Sequence, residues 1–120
     1  DAGFDMYATE DVHFEAGAKM RVPTGIALEI PDGYVGLVWD KSSISFNHGL
    51  KTMGGVIDAG YRGEIIIGLY NFSITPYTIK KGEKVAQILI QKIEHVTFSE
   101  VEELSDTTRG ESGWGSTGKE

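Results

Sequence analysis

The apolar residues of this chain rarely recur at the three-and-four spacing of a helix. Short β-branched and aromatic runs, broken by Gly, Pro and Asp about every eight to twelve residues, replace them, which is the rhythm of a sandwich or barrel. The runs predict strands over 20–22, 25–29, 34–39, 54–57, 64–70, 77–79, 85–92 and 95–100. "PDGY" at 31–34 and "KKGE" at 80–83 are strong turns. Only "SSISFNHG", 42–49, reads as a short helix, with Gly49 as its C-terminal stop. "EIIIGLYN", 64–71, is apolar on both faces and is expected to be an inner strand. At 120 residues, one domain with one modest core is expected.

Composition narrows the functional classes. Hydrophobic and charged fractions of 40% and 24% are those of a soluble globular protein. No apolar run approaches the roughly 18 residues of a membrane span, and no signal peptide is visible, so no membrane partner is expected. With no cysteine there are no disulfides or thiolate metal sites, and His13, His48 and His95 lack zinc-ligand spacing. A net charge of −7 argues against a nucleic-acid partner, though a local cation or metal can still hold a small anion. The opening "DAGFDMYATED" reads like the inside of a motif, so a preceding strand is expected.

Three places carry chemical interest. "GGVIDAGYRGEI", 54–65, sets Asp58 between an apolar run and a Gly-Tyr turn. Taken alone, Asp58 is turn chemistry, its side chain bonding nearby amides. In "KVAQILIQKI", 84–93, Gln91 is expected to face solvent, whereas Gln87 is either paired or lines a wet cavity. Beyond Glu100 the chain turns acidic and then becomes "TTRGESGWGSTGKE". That is either a disordered end or a flap that orders over an anion, with Arg109 for charge and Trp114, Gly115 and Ser116 beyond it.

Five segments, in order, resemble the motifs of the trimeric dUTP diphosphatase (dUTPase) family. They are "AGFDMYA" (2–8), "DKSSISFNHG" (40–49), "GGVIDAGYRGEI" (54–65), "KKGEKVAQILI" (80–90) and "RGESGWGSTG" (109–118). The resemblance implies an all-β, distorted jelly-roll β-barrel over 1–105 with one short helix, and a glycine-rich arm over 106–120. It implies a homotrimer whose active sites are shared by three chains, each arm closing over a neighbour's pocket. The implied reaction is Mg²⁺-assisted hydrolysis of dUTP to dUMP and pyrophosphate, serving nucleotide-pool sanitation and dUMP supply, in the cytoplasm if the source is bacterial.

The resemblance also assigns roles. Asp58 becomes the general base that activates a water against the α-phosphorus. Tyr61 packs under the deoxyribose and excludes a 2′-hydroxyl. The hairpin backbone from Thr52 through Val56 and Ile57 reads the uracil edge. Lys41, Ser42 and Ser43 bind phosphate. Arg109 meets the γ-phosphate, and Trp114, followed by Gly115 and Ser116, stacks on the base. Asp5 and Gln87 hold waters of the magnesium ion rather than the ion itself.

The chain departs from that pattern in places. Asp40-Lys41 stands where Pro-Arg is usual, so a planar fork becomes a point charge, and Asp40 is expected to pair with Lys41 or disturb the anion site. Thr52 replaces a common Asn, and Trp114 replaces a common Phe. The related dCTP deaminases share the barrel but use a glutamate where this chain has Gly68, which disfavours deamination. A non-catalytic binding member of the fold would be expected to lose Asp58, Ser42 or Arg109, and all are present.

Overall fold

A computed structural model describes residues 1–115 of the chain. Its described elements, in chain order, are β1 (Phe4–Tyr7), β2 (Val12–Phe14), β3 (Lys19–Ala27), β4 (Tyr34–Asp40), α1 (Ser42–His48), β5 (Leu50–Met53), β6 (Val56–Ile57), β7 (Glu64–Asn71), β8 (Tyr77–Ile79) and β9 (Lys84–Lys92). They form three antiparallel sheets, ordered β1-β9-β4-β6, β2-β8 and β3-β7-β5. The sheets wrap one core without closing into a continuous hydrogen-bonded ring, so the expected barrel is all-β but open.

As its composition predicts, β7 is the inner strand, between β3 and β5. Its burial alternates: Ile65, Ile67 and Leu69 are buried, while Ile66 and Tyr70 stay partly exposed on the other face. The period of two therefore gives this chain only one of the two apolar faces. The buried face meets Phe14, Leu50, Ile79, Val85 and Ile88 in the core. Each such side chain contributes about 1.5–3 kcal/mol by leaving water.

The predicted strands over 20–22 and 25–29 are one strand, β3, with a register shift between Pro23 and Ala27. Proline has no N–H to give, so it sits here on an edge strand beside an irregularity. Gly25 adopts φ 70° within that irregularity, and its N–H donates to Glu64 Oε2 at 2.8 Å. The short β1, β2 and β5 fall outside the predicted spans. The predicted strand over 95–100 does not form: Val96 and Phe98 are exposed, and no described strand runs beside them. Gln91 faces solvent as expected.

Helix α1 ends as the sequence predicts. Gly49 takes the left-handed conformation (φ 73°) and closes the last turn through its N–H. A Cβ there would also lie 2.8 Å from Ser73 Cβ, so both backbone and packing demand glycine. Buried Asn71 ties down the loop beyond β7, its amide donating to Thr75 O at 2.9 Å and its Oδ1 accepting from the Ser73 N–H at 3.0 Å. The radius of gyration is 18.7 Å, against about 14 Å for a compact chain of this length. The run beyond Ile93 is exposed almost throughout its described length. No helix among the described residues is long and apolar enough to cross a membrane.

Candidate active site

Asp58 follows β6 and opens a turn that is closed by main chain alone, Tyr61 N–H donating to Asp58 O at 3.1 Å. Its exposed carboxylate has no hydrogen-bond or ion-pair partner among the described residues. The turn-chemistry reading of this acid therefore fails: the loop holds its shape without the side chain. Asp58 lines a cavity of about 230 Å³ with Val56, Ile57, Tyr61, Glu64 and Ile66. Tyr61 is half-exposed rather than a core residue; its hydroxyl donates to Glu64 O at 2.8 Å.

Val56 also borders a second cavity of about 240 Å³, lined by Trp39, Lys51, Thr52, Gly54 and Gly55 among others. The hairpin between Thr52 and Ile57 thus runs along both hollows, with the Thr52 N–H given to Asp40 Oδ1 at 2.9 Å and Gly55 O accepting from the Val38 N–H at 2.8 Å. Gly54 and Gly55 have φ of 75° and 115°, a conformation that side chains resist, and a Cβ on Gly55 would press on Val38 at 3.2 Å.

A charged cluster forms where β1, β4 and β9 meet. Lys41 Nζ lies 2.9 Å from Asp5 Oδ1, and Lys84 Nζ lies 3.4 Å from Asp5 Oδ2. The Lys41 contact, aided by Lys84, holds the Asp5 carboxyl below its ordinary range against a smaller opposing effect of burial. Lys41 is the residue before α1 and offers no side-chain cap, so the first-turn amides at exposed Ser42 and Ser43 have no acceptor from it.

Contrary to expectation, Asp40 does not pair with Lys41, which meets Asp5 instead, but reaches β5. Its Oδ2 lies 2.9 Å from Lys51 Nζ, and its Oδ1 accepts the Thr52 N–H at 2.9 Å. Burial pushes this carboxyl up, and the Lys51 and Thr52 contacts more than offset it, leaving it below its ordinary range. Gln87 is paired rather than loose: its Nε2 donates to Asp40 O at 2.9 Å. Gly3 makes room for it, since a Cβ there would sit 2.7 Å from Gln87 Oε1.

The arm residues lie apart from both groups. Arg109 Nε donates to Ser112 O at 2.6 Å within a local turn, and Trp114 is fully exposed with φ 47° beside Gly115 at 82°. Ser116 lies outside the described residues. One chain therefore presents three separate groups: the Asp58–Tyr61 hollow with its hairpin, the Asp5–Lys41–Ser42 cluster, and the arm. Sequence reasoning missed Lys84 and Glu64 as parts of these groups and gave Asp40 the wrong partner. The β1–β9 register, which sets Lys84 opposite Tyr7 and Asp5 opposite Gln87, was the signal for the first.

A magnesium ion can be tested against these donors. Among the described residues no three His, Cys, Asp or Glu side chains group to cage one. Asp5 supplies a single carboxylate, its two oxygens facing Lys41 and Lys84, and Gln87 Oε1 a carbonyl; so thin a set fits only an ion that keeps most of its waters and is carried by phosphates.

Known proteins resemble this chain over nearly its whole length. The family model described as dUTPase matches residues 1–118. A deoxyuridine 5′-triphosphate nucleotidohydrolase of Corynebacterium diphtheriae is 48% identical, covering 98% of this chain and 80% of its own length. One of the same name from Thermobifida fusca is 45% identical, covering 98% of this chain and 68% of its own. Among solved structures, a variant of the dUTPase of Staphylococcus bacteriophage 80alpha with dUpNHpp superimposes with a TM-score of 0.93 at 33% identity, over 99% of this chain and 87% of its own. A variant from phage phi11 of S. aureus, whose structure describes a structural Mg(II) ion, gives 0.80 at 32% identity over 86% and 84%.

Proposed function

The chain belongs to the dUTPase family, with its jelly-roll-like fold, and from that premise we propose how it hydrolyses dUTP. Asp58 acts as general base. It takes a proton from a water as the water oxygen forms a bond to the α-phosphorus; the bond from that phosphorus to the bridging oxygen breaks, and pyrophosphate leaves with its electron pair. The products are dUMP and pyrophosphate, which removes dUTP from the pool and supplies dUMP. The observation that carries the reading is the Asp58 carboxylate on the wall of the Tyr61 hollow, without a hydrogen-bond or ion-pair partner among the described residues. A base must reach its water, at about 2.6–3.2 Å, and an acid already spent on its own loop would not be available.

Phosphoryl transfer asks the protein chiefly for positioning and charge neutralisation. Tyr61 forms the floor under the deoxyribose, and the Thr52–Ile57 backbone supplies a fixed pattern of donors and acceptors for uracil. Lys41, Ser42 and Ser43 take phosphate oxygens, and Arg109 meets the γ-phosphate while Trp114 stacks on the base with Gly115 and Ser116. Asp5 and Gln87 would hold waters of a magnesium ion, whose chemistry is to neutralise triphosphate charge. These groups sit apart in one chain, so the complete site draws on three subunits, with residues 106–120 of one closing over another's barrel.

The deaminase reading gains no support. Gly68 faces a groove of about 520 Å³ lined by Lys19, Met20, Arg21, Met53 and Leu69, with no carboxylate among them. Pyrophosphate release from dUTP, dCTP, dTTP and UTP, with and without Mg²⁺, tests the proposal. Release from dUTP alone, dependent on Mg²⁺, is expected; dUTP or dUMP formed from dCTP, or no release from dUTP, would reject it.

A further inference from the structure

We propose that Asp40 is a positioning residue, whose carboxylate locks the uracil-reading hairpin to the strand end that carries Lys41, Ser42 and Ser43. The inference rests on the dUTPase reading of those residues. Asp40 ends β4 and Thr52 lies in β5, strands of different sheets. Strand β5 is the edge of its sheet, and the Thr52 N–H donates to the Asp40 side chain rather than to a neighbouring strand.

Asp40 is itself held from several directions. Lys51 Nζ grips Oδ2 at 2.9 Å, and Gln87 Nε2 donates to the main-chain oxygen at 2.9 Å. The next residue, Lys41, is pinned to Asp5. The carboxylate is therefore a fixed bracket between the phosphate group and the start of the hairpin. That bracket matters because Gly54 and Gly55, with positive φ, give the hairpin little side-chain packing of its own. Without Asp40 Oδ1, the partly buried Thr52 amide loses its acceptor and the hairpin its anchor on the end of β4, so the hairpin of one site is no longer fixed to the phosphate-binding residues that the same chain lends to a neighbouring site.

The test compares the full-length wild type with Asp40→Ala and Asp40→Asn in steady-state hydrolysis of dUTP. Loss of an acceptor for this partly buried donor is expected to raise KM about tenfold in Asp40→Ala, with kcat changed less than about threefold. Asp40→Asn keeps an oxygen for Thr52 and is expected to return KM to within about threefold of the wild type. A KM in Asp40→Ala within about twofold of wild type, or equal damage in both variants, overturns the proposal. Amide hydrogen exchange at Thr52 in the ligand-free wild type decides the matter even if Asp40→Ala fails to fold. Protection is expected, and exchange at the rate of an open amide overturns the bracket. A wild type inert towards dUTP would instead reject the hydrolase reading, and the Thr52 measurement would still report on the bracket by itself.

Discussion

The Tyr61 hydroxyl donates to Glu64 O at 2.8 Å across Gly63, and the ring lies so close that a Cβ on Gly63 would meet that hydroxyl at 2.5 Å. Gly63 is thus what lets the tyrosine lie flat against its own turn. Gly63→Ala is expected to lift the ring and to narrow the preference for dUTP over UTP by about tenfold in kcat/KM, the scale of a modest pocket change. Tyr61→Phe keeps the ring and is expected to preserve the preference at a stability cost of about 0.5–1.5 kcal/mol. Kinetics with both nucleotides and thermal melts of both variants check this.

Asp58→Asn is expected to lower kcat by about 10²–10⁴ through loss of the general base. Because the carboxylate makes no hydrogen bond or ion pair among the described residues, folding should not notice the change. Calorimetric titration with a non-hydrolysable dUTP analogue is expected to give a Kd within a few-fold of wild type. Unimpaired turnover would remove Asp58 from the base role.

Removing everything beyond Thr108 is expected to leave the melting transition of the barrel in place and abolish most activity, since Arg109 and Trp114 touch none of the core. In the full chain, Arg109→Ala should weaken triphosphate binding more than monophosphate binding. Equal losses would count against a γ-phosphate contact. Sedimentation is expected near three times 13.1 kDa.

Acid should reveal the Asp40 and Asp5 carboxyls. Burial raises Asp40, but Lys51 and Thr52 bring it below the ordinary value of 3.8; the Lys41 contact does the same for Asp5. A group depressed in the folded state adds stability above its unfolded value, and that stability is lost as pH falls through the lower folded value. Melting temperature is therefore expected to decline below about pH 4, and Asp40→Asn to flatten the decline. A pH series from about 6 to 2.5 measures it, and identical slopes for both proteins would show that Asp40 carries none of the effect.

The inner strand β7 and the helix stopped by Gly49 could be read in advance because each carries an unambiguous local signal. Strands β1, β2 and β5 lack the local signal of β8, which is just as short but wholly aromatic and β-branched before the turn at 80–83; only pairing with β9, β8 and β7 defines them. The run 95–100 shows the opposite failure: apolar alternation at Val96 and Phe98 predicts a strand, but nothing described in this chain pairs with it. At the site, Asp58 and Tyr61 stand out in the motif, whereas the partner of Asp40 does not. Neighbours in an extended chain point to opposite sides, so Asp40 turns to β5 while Lys41 turns to β1. Adjacency in sequence suggested the wrong pair.

Trp114 stands wholly in water, and the other of the chain's two tryptophans, Trp39, is half-exposed. Covering that indole by a base or by a neighbouring barrel would shift its fluorescence to the blue and shield it from acrylamide quenching. The molecule therefore carries an intrinsic optical reporter of arm closure, readable in real time without a label.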